Sequence, residues 1–156
     1  MLFAVIVLVF FVFFAPVAID GPSMLPTLRT ADRVLITRGA KSVKRGDVVV
    51  LIADESGAKT ELVKRVVGLA GDSVEIRNDV AFVNGVQEPS LGQVTSELQY
   101  SMSALAIIVP AGRIYVMGDN RPLSEDSRYI GTVPLSGVMG RVVAVFAPIQ
   151  RMRLVH

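Results

Sequence analysis

"ELVKRVVGLAGDSVEIRNDVAFVNG", Glu61 to Gly85, decides the fold class. Its apolar positions are mostly Val and Ile, and they come in short runs broken by Gly-Asp and Asn-Asp pairs. Branched side chains fit a pleated, half-buried surface, while Gly, Asn and Asp supply the turns between strands. "RNDVAFVNG" reads as a hairpin, with Asn78 and Asp79 suited to the turn because both residue types tolerate positive φ. The same grammar extends outward in both directions, through "RVLITR", "GDVVVLIA", "RIYVMG" and "GTVPLSGVMGRVVAVFAP". No amphipathic helix, internal repeat or low-complexity tract interrupts it. The expected class is a mainly β domain of short antiparallel strands. Residues Val86 to Ile108 carry the weakest pattern and are read as a surface loop or insertion.

The chain opens differently. "MLFAVIVLVFFVFFAPVAID" has no charge from Met1 to Ile19, about the minimum apolar length for a membrane-spanning helix. Pro16 is expected to end its helical part, leaving "PVAID" extended. The division expected is a membrane anchor over 1–18 and a β domain over 19–156, the part that would carry any catalytic site. A cleavable leader is the competing reading, but the positive n-region and a small-residue cleavage pattern are both missing. Without flanking Lys or Arg, charge does not orient the segment.

Composition excludes several chemistries. Of 156 residues 51% are hydrophobic, and the formal net charge is only +2 with no basic cluster, so nucleic acid is not an expected partner. Cysteine is absent, which removes thiol nucleophiles, disulfides and thiolate metal sites. The one histidine is the terminal His156. A His-based triad or metal centre would rest on the chain end, so no metal and no cofactor are expected.

"DGPSMLPTL", Asp20 to Leu28, places a serine where the chain leaves the apolar segment. Ser23 stands between Pro22 and Pro26, which stiffen the local backbone. This is either a plain turn or a nucleophile held in place. With His and Cys gone, its base would be a carboxylate or one of the lysines at 41, 44, 59 and 64. Lys41, Lys44 and Lys59 sit in polar stretches. Lys64 lies inside an apolar strand, on the face of Leu62 and Val66 by period-two alternation, with Arg65 opposite. Burial disfavours an ammonium ion and produces the neutral amine that a serine hydroxyl needs. A lysine snorkelling from a sheet edge is the alternative, and the strand pattern by itself favours it.

Three segments taken together reverse that preference. "GPSMLPTL", "KRVVGLAGDSVEI" and "MGDNRPLSEDSRYIGTVP" resemble, in this order, the conserved boxes of the type I signal peptidases, membrane-bound serine proteases that release exported proteins from their signal peptides. The resemblance spans Asp20 to about Val145, apart from the Val86 to Ile108 region. It implies a signal-peptidase-like β domain on an N-terminal transmembrane helix, in the plasma membrane with the catalytic domain on the extracytoplasmic side. Signal peptides of preproteins and the lipid bilayer are the implied partners.

The resemblance also implies roles. Ser23 is the nucleophile and Lys64 its general base, forming an acyl-enzyme that water hydrolyses. Ser124 matches a serine that orients the lysine amine. Asp126 matches a structural carboxylate partnered by Arg128, and Asp119 is expected to pair with Arg65. Met24 falls in the substrate-binding region, with simple core packing as its alternative. Many relatives carry a hydroxyl residue two positions before the nucleophile, which helps the nucleophile's own N–H to stabilise the oxyanion. Gly21 stands there in this chain, and the second donor stays open. A self-cleaving repressor-type Ser/Lys peptidase and an inactive peptide-binding β module are the alternatives weighed.

Overall fold

The computed structural model describes residues 10–39, 43–55, 58–89 and 103–155. The strands are β1 (Phe14–Ala18), β2 (Arg33–Arg38), β3 (Val48–Glu55), β4 (Ala58–Gly68), β5 (Ser73–Arg77), β6 (Val80–Val83), β7 (Val86–Gln87), β8 (Ala104–Ile108), β9 (Arg113–Met117), β10 (Val133–Pro134), β11 (Val138–Ala147) and β12 (Arg153–Leu154). Among the described residues helix occurs at residues 10–13, adjoining residues that are not described, and otherwise in short turns such as Ser127–Ile130. The mainly β, antiparallel class therefore holds.

The larger sheet runs β1-β2-β11-β3-β4-β9-β10, with β12 also pairing β11; the smaller runs β7-β6-β5-β8. Every paired strand is antiparallel. Alternation sends successive residues of β3 to opposite faces: Val48 and Val50 join a core with Met24, Leu28, Val34 and Ile36, whereas Val49 and Leu51 join one with Val66, Ile114 and Val116. A third core, built on Val67, Val74, Ile76, Tyr115 and Met117, joins the smaller sheet to the larger. Burying each such side chain contributes about 1.5–3 kcal/mol, which holds the central strands rigid on both faces.

The expected hairpin is present. Asn78 and Asp79 take φ of 50° and 63°, the left-handed pair of a turn whose twist matches that of β5 and β6. A second turn of this kind, Asn84-Gly85 with φ of 53° and 79°, leads into β7.

Two expectations change. The extended run begins at Phe14, before Pro16, and Phe14–Ala18 pairs antiparallel with β2 as an edge strand of the larger sheet. The segment assigned to the anchor thus contributes a strand to the β domain. Among the described residues no helix is long and apolar enough to cross a membrane; residues 1–9 lie outside them. The Val86 to Ile108 region is not only loop: β7 and β8 lie in it, and β8 pairs with β5. Residues 90–102 lie outside the described residues.

Candidate active site

Ser23 sits in a loop, residues 19–32, that is closed at its base. Ile19 N–H donates to Asp32 O at 2.8 Å and Ala31 N–H to Ile19 O at 3.0 Å. Within it, Leu25 N–H donates to Pro22 O at 3.1 Å and Leu28 N–H to Met24 O at 2.8 Å. Met24 and Leu28 are fully buried and anchor the loop in the core, so the packing role expected as the alternative for Met24 is the one its burial supports. Gly21 has φ of +88°, a left-handed conformation that a side chain strains, and its N–H donates to Thr30 Oγ1 at 3.1 Å.

Lys64 is 3% exposed, buried in the middle of β4. Its cross-strand neighbour on β3 is Val49. On the other side β4 pairs with β9 as Arg65↔Met117 and Val66↔Val116, and one further step of that register brings Lys64 level with Gly118. Alternation puts Lys64 on the side of the strand that Val49, Leu62 and Val66 share. On Gly118, a Cβ would collide with Ser124 Oγ and approach the Ser23 carbonyl oxygen to 2.5 Å. Gly118 is thus the point where the Ser23 loop, Ser124 and the level of Lys64 converge, and only the absence of a side chain lets them do so.

The loop after β9 holds this convergence. Asp126 accepts from Gly118 N–H at 2.9 Å and caps the one-turn helix Ser127–Ile130 through Arg128 N–H. The Arg128 guanidinium, its side chain only 1% exposed, meets Asp126 through Nε at 2.9 Å and Nη2 at 3.0 Å. It also reaches Asp79 at the tip of the β5–β6 hairpin, at 2.7 Å, and donates to the Ser124 carbonyl at 3.2 Å. Arg121 binds Gly118 O at 3.0 Å and Glu88 at 2.8 Å. Two buried arginines therefore fasten the smaller sheet to the site loop. Ser124 Oγ is buried and has no hydrogen-bond partner among the described residues. Burial first, and then the nearby Asp126 carboxylate, push the Tyr115 phenol up to about 12.

Arg65 and Asp119 form the expected pair, Nε to Oδ1 and Nη2 to Oδ2, each at 2.7 Å. Asp119 also accepts from Thr27 Oγ1 in the Ser23 loop. Asn120 grips the same loop twice: its N–H donates to Ser23 O and its Nδ2 to Pro22 O, both at 3.0 Å. Thr27, Glu88, Gly118, Asn120 and Arg121 were not singled out from the sequence, and Asp79 was singled out only as a turn residue. The signal available was the run Gly118-Asp119-Asn120, a turn-forming sequence next to a strand end.

A cavity of about 750 Å³ lies on the other face of β4, lined by Arg65, Val67, Val142 and Val155 among others, and it includes neither Ser23 nor Lys64. Beside Ser124 opens a smaller cleft of about 260 Å³, bounded by Pro122, Leu123, Glu125 and Tyr129.

Comparison with known proteins points to the family that the sequence resembles. The family described as "Signal peptidase, peptidase S26" matches residues 1–147. Signal peptidase I U of Bacillus subtilis (strain 168) is 37% identical over 163 residues, covering 98% of this chain and 86% of the relative. Signal peptidase I P of Bacillus subtilis subsp. natto is 38% identical, covering 95% and 86%. The crystal structure of a signal peptidase I from Enterococcus faecalis V583 superposes with a TM-score of 0.54 at 30% identity, covering 65% of this chain and 97% of that one. Neither the repressor-type peptidase nor the inactive module is favoured by these relatives. With a family match over nearly its whole length and relatives of this identity, the chain belongs to the signal peptidases, the serine hydrolases of peptidase family S26.

Proposed function

We propose that the protein cleaves signal peptides from exported preproteins, with Ser23 as nucleophile and Lys64 as general base. The observation that carries the reading is the meeting at Gly118 of the Ser23 loop, Ser124 and the level of Lys64. Ser23 Oγ attacks the scissile carbonyl and gives its proton to the Lys64 amine; the acyl-enzyme then loses its acyl group to water. The general-base role requires the neutral amine, and Lys64 is buried within β4. The resemblance gives Ser124 the task of orienting that amine; its Oγ lies at Gly118 but makes no hydrogen bond among the described residues, so the role rests on the resemblance alone, while the Arg128–Asp126 and Arg65–Asp119 pairs hold the backbone around the site.

The substrate is held extended. Before Arg65, β4 has β3 on one edge and no strand neighbour on the other among the described residues. An added strand there would run its carbonyls past Lys64 toward Ser23. Small side chains are required at the first and third positions before the cut. The exposed apolar residues Phe10, Phe11, Val12 and Phe13, leading into β1, support attachment to a bilayer; an active face at the membrane surface outside the cytoplasm rests on the resemblance.

The test is incubation of the full chain, in detergent, with a preprotein carrying Ala-x-Ala before its cleavage site. One new N-terminus after the second alanine is expected, with none from Ser23→Ala. Equal cleavage of Ala and Phe at the position before the cut would overturn the specificity.

A further inference from the structure

The oxyanion site of this chain has one donor defined by the Ser23 reading, the backbone N–H of Ser23 itself. Gly21 offers no hydroxyl, and its left-handed φ of +88° disfavours any side chain there. The Ser23 N–H has no acceptor among the described residues, so it is available to a developing negative charge. The peptide that carries this N–H is Pro22–Ser23. A planar trans peptide points its C=O and N–H in opposite directions, so whatever holds the Pro22 oxygen also aims the Ser23 hydrogen. Two donors hold that oxygen: Leu25 N–H at 3.1 Å, from within the loop, and Asn120 Nδ2 at 3.0 Å, from outside it. The backbone N–H of the same asparagine takes the next carbonyl, that of Ser23, at 3.0 Å.

We propose that Asn120 is the positioning residue of the oxyanion site, gripping the Pro22 and Ser23 carbonyls so that the Ser23 N–H is both aimed and polarised. The inference rests on Ser23 being the nucleophile. A peptide whose carbonyl accepts hydrogen bonds becomes a stronger donor through its own N–H, because chains of hydrogen bonds polarise one another. The Leu25 bond belongs to the loop and moves with it. The Asn120 bonds tie the loop to Gly118 and Asp119, and through them to the strand that carries Lys64. Asn120 touches neither the substrate nor the reacting atoms. It acts through the peptide plane, and that plane matters most in the tetrahedral state, when the carbonyl oxygen takes the charge.

The test uses the full chain in detergent with a preprotein substrate, comparing wild type, Asn120→Ala, Asn120→Asp and Ser23→Ala. Asn120→Ala keeps the backbone N–H and loses only the side-chain donor. Its kcat is expected to fall about tenfold to a hundredfold, with KM within about twofold and the pH profile unmoved, the pattern of an interaction made in the transition state. Asn120→Asp, similar in size but unable to donate when ionised, should fall at least as far. A peptide aldehyde gives a second readout, since its adduct with Ser23 places a charged oxygen where the reaction does. Its affinity should drop by the same factor as kcat, while that of the matching peptide amide stays put.

A kcat within about twofold of wild type in both variants overturns the inference, as does equal weakening of aldehyde and amide. If Asn120→Ala loses thermal stability in step with its activity, Asn120→Asp and the aldehyde-to-amide ratio decide: an unchanged ratio leaves Asn120 a structural residue and the inference fails. The nucleophile reading fails separately. Processing by Ser23→Ala removes it, whereas an inactive Ser23→Ala beside fully active Asn120 variants removes only the inference about Asn120.

Discussion

Arg65 and Asp119 meet through two parallel hydrogen bonds of 2.7 Å, their side chains 3% and 1% exposed. Arg65 is on β4 beside Lys64, and Asp119 also accepts from Thr27 in the Ser23 loop. One carboxylate therefore spans the strand and loop that bring the two proposed catalytic residues together.

Removing either partner should be costly, because each leaves a buried charge uncompensated. Arg65→Ala and Asp119→Ala are each expected to lose about 3–5 kcal/mol of stability, and the double variant much less than their sum. Arg65→Lys should not restore the wild type, since an ammonium cannot reproduce the two-pronged geometry. Denaturant unfolding of the four proteins measures the coupling. Additive losses would show that the pair is not a unit.

Gly118→Ala is expected to remove processing. The added methyl meets Ser124 Oγ on one side and the Ser23 carbonyl oxygen, at 2.5 Å, on the other. Backbone cannot yield as a flexible side chain does, so the Ser23 loop must shift, and a displacement of about 1 Å at a catalytic group costs on the order of a hundredfold in rate. Gly21→Ala is the contrast: no heavy atom within 4 Å meets its Cβ, and its cost is that of positive φ alone. Steady-state rates of the two variants, with circular dichroism to confirm folding, separate them. Wild-type activity in Gly118→Ala would mean that the convergence at this glycine is not the site.

Much of this was legible in the sequence, for physical reasons that differ by element. β2 to β6, β9 and β11 are Val- and Ile-rich and bounded by turn residues, so periodicity and punctuation agree. β1 was hidden because Phe14–Ala18 ends a uniformly apolar run and contains Pro16, which reads as a helix stop. Pro16 lies on an edge strand, opposite Leu35, where a missing N–H is tolerated. β8 was hidden because all five of its residues are exposed, leaving no alternation to read. At the site, the Arg65–Asp119 and Arg128–Asp126 pairs were expected from the family resemblance and are present. The reach of Arg128 to Asp79, of Arg121 to Glu88 and of Asn120 to Pro22 depends on how distant segments dock, which no local pattern encodes.

Lys64 offers a separation of stability from activity. It is 3% exposed in an apolar strand, so Lys64→Met, similar in length and able to fill the same space, should remain folded. It should be inactive, as should Lys64→Arg, whose guanidinium stays protonated and cannot accept the Ser23 proton. Acylation of Ser23 by a serine-directed inhibitor, followed by mass spectrometry, reads the nucleophile directly. Rapid labelling in a folded Lys64→Met would assign the base to another residue.

Asp32 ties the far end of the Ser23 loop to the C-terminal turn. Its carboxylate accepts from Arg151 Nε at 2.7 Å, Arg151 Nη2 at 2.8 Å and Arg29 N–H at 3.0 Å. The Arg151 hydrogen bonds hold its pKa below the usual aspartate value, against the opposing effect of burial. A carboxyl whose pKa is lower folded than unfolded stabilises the protein above the unfolded value, about 3.9, and loses that contribution as pH falls through the folded value. Asp32→Asn should therefore lose about 1.5–3 kcal/mol at pH 7, the worth of hydrogen bonds to a charged group. Below about pH 4 the unfolded chain's carboxyl takes up its proton first, and the gap between the two proteins should narrow as pH falls on through the lower folded value. Urea unfolding of both, in detergent from pH 7 down to about pH 2.5, follows the gap. A difference that stays constant over that range would mean that Asp32 acts through shape and neutral hydrogen bonds, with its charge contributing nothing.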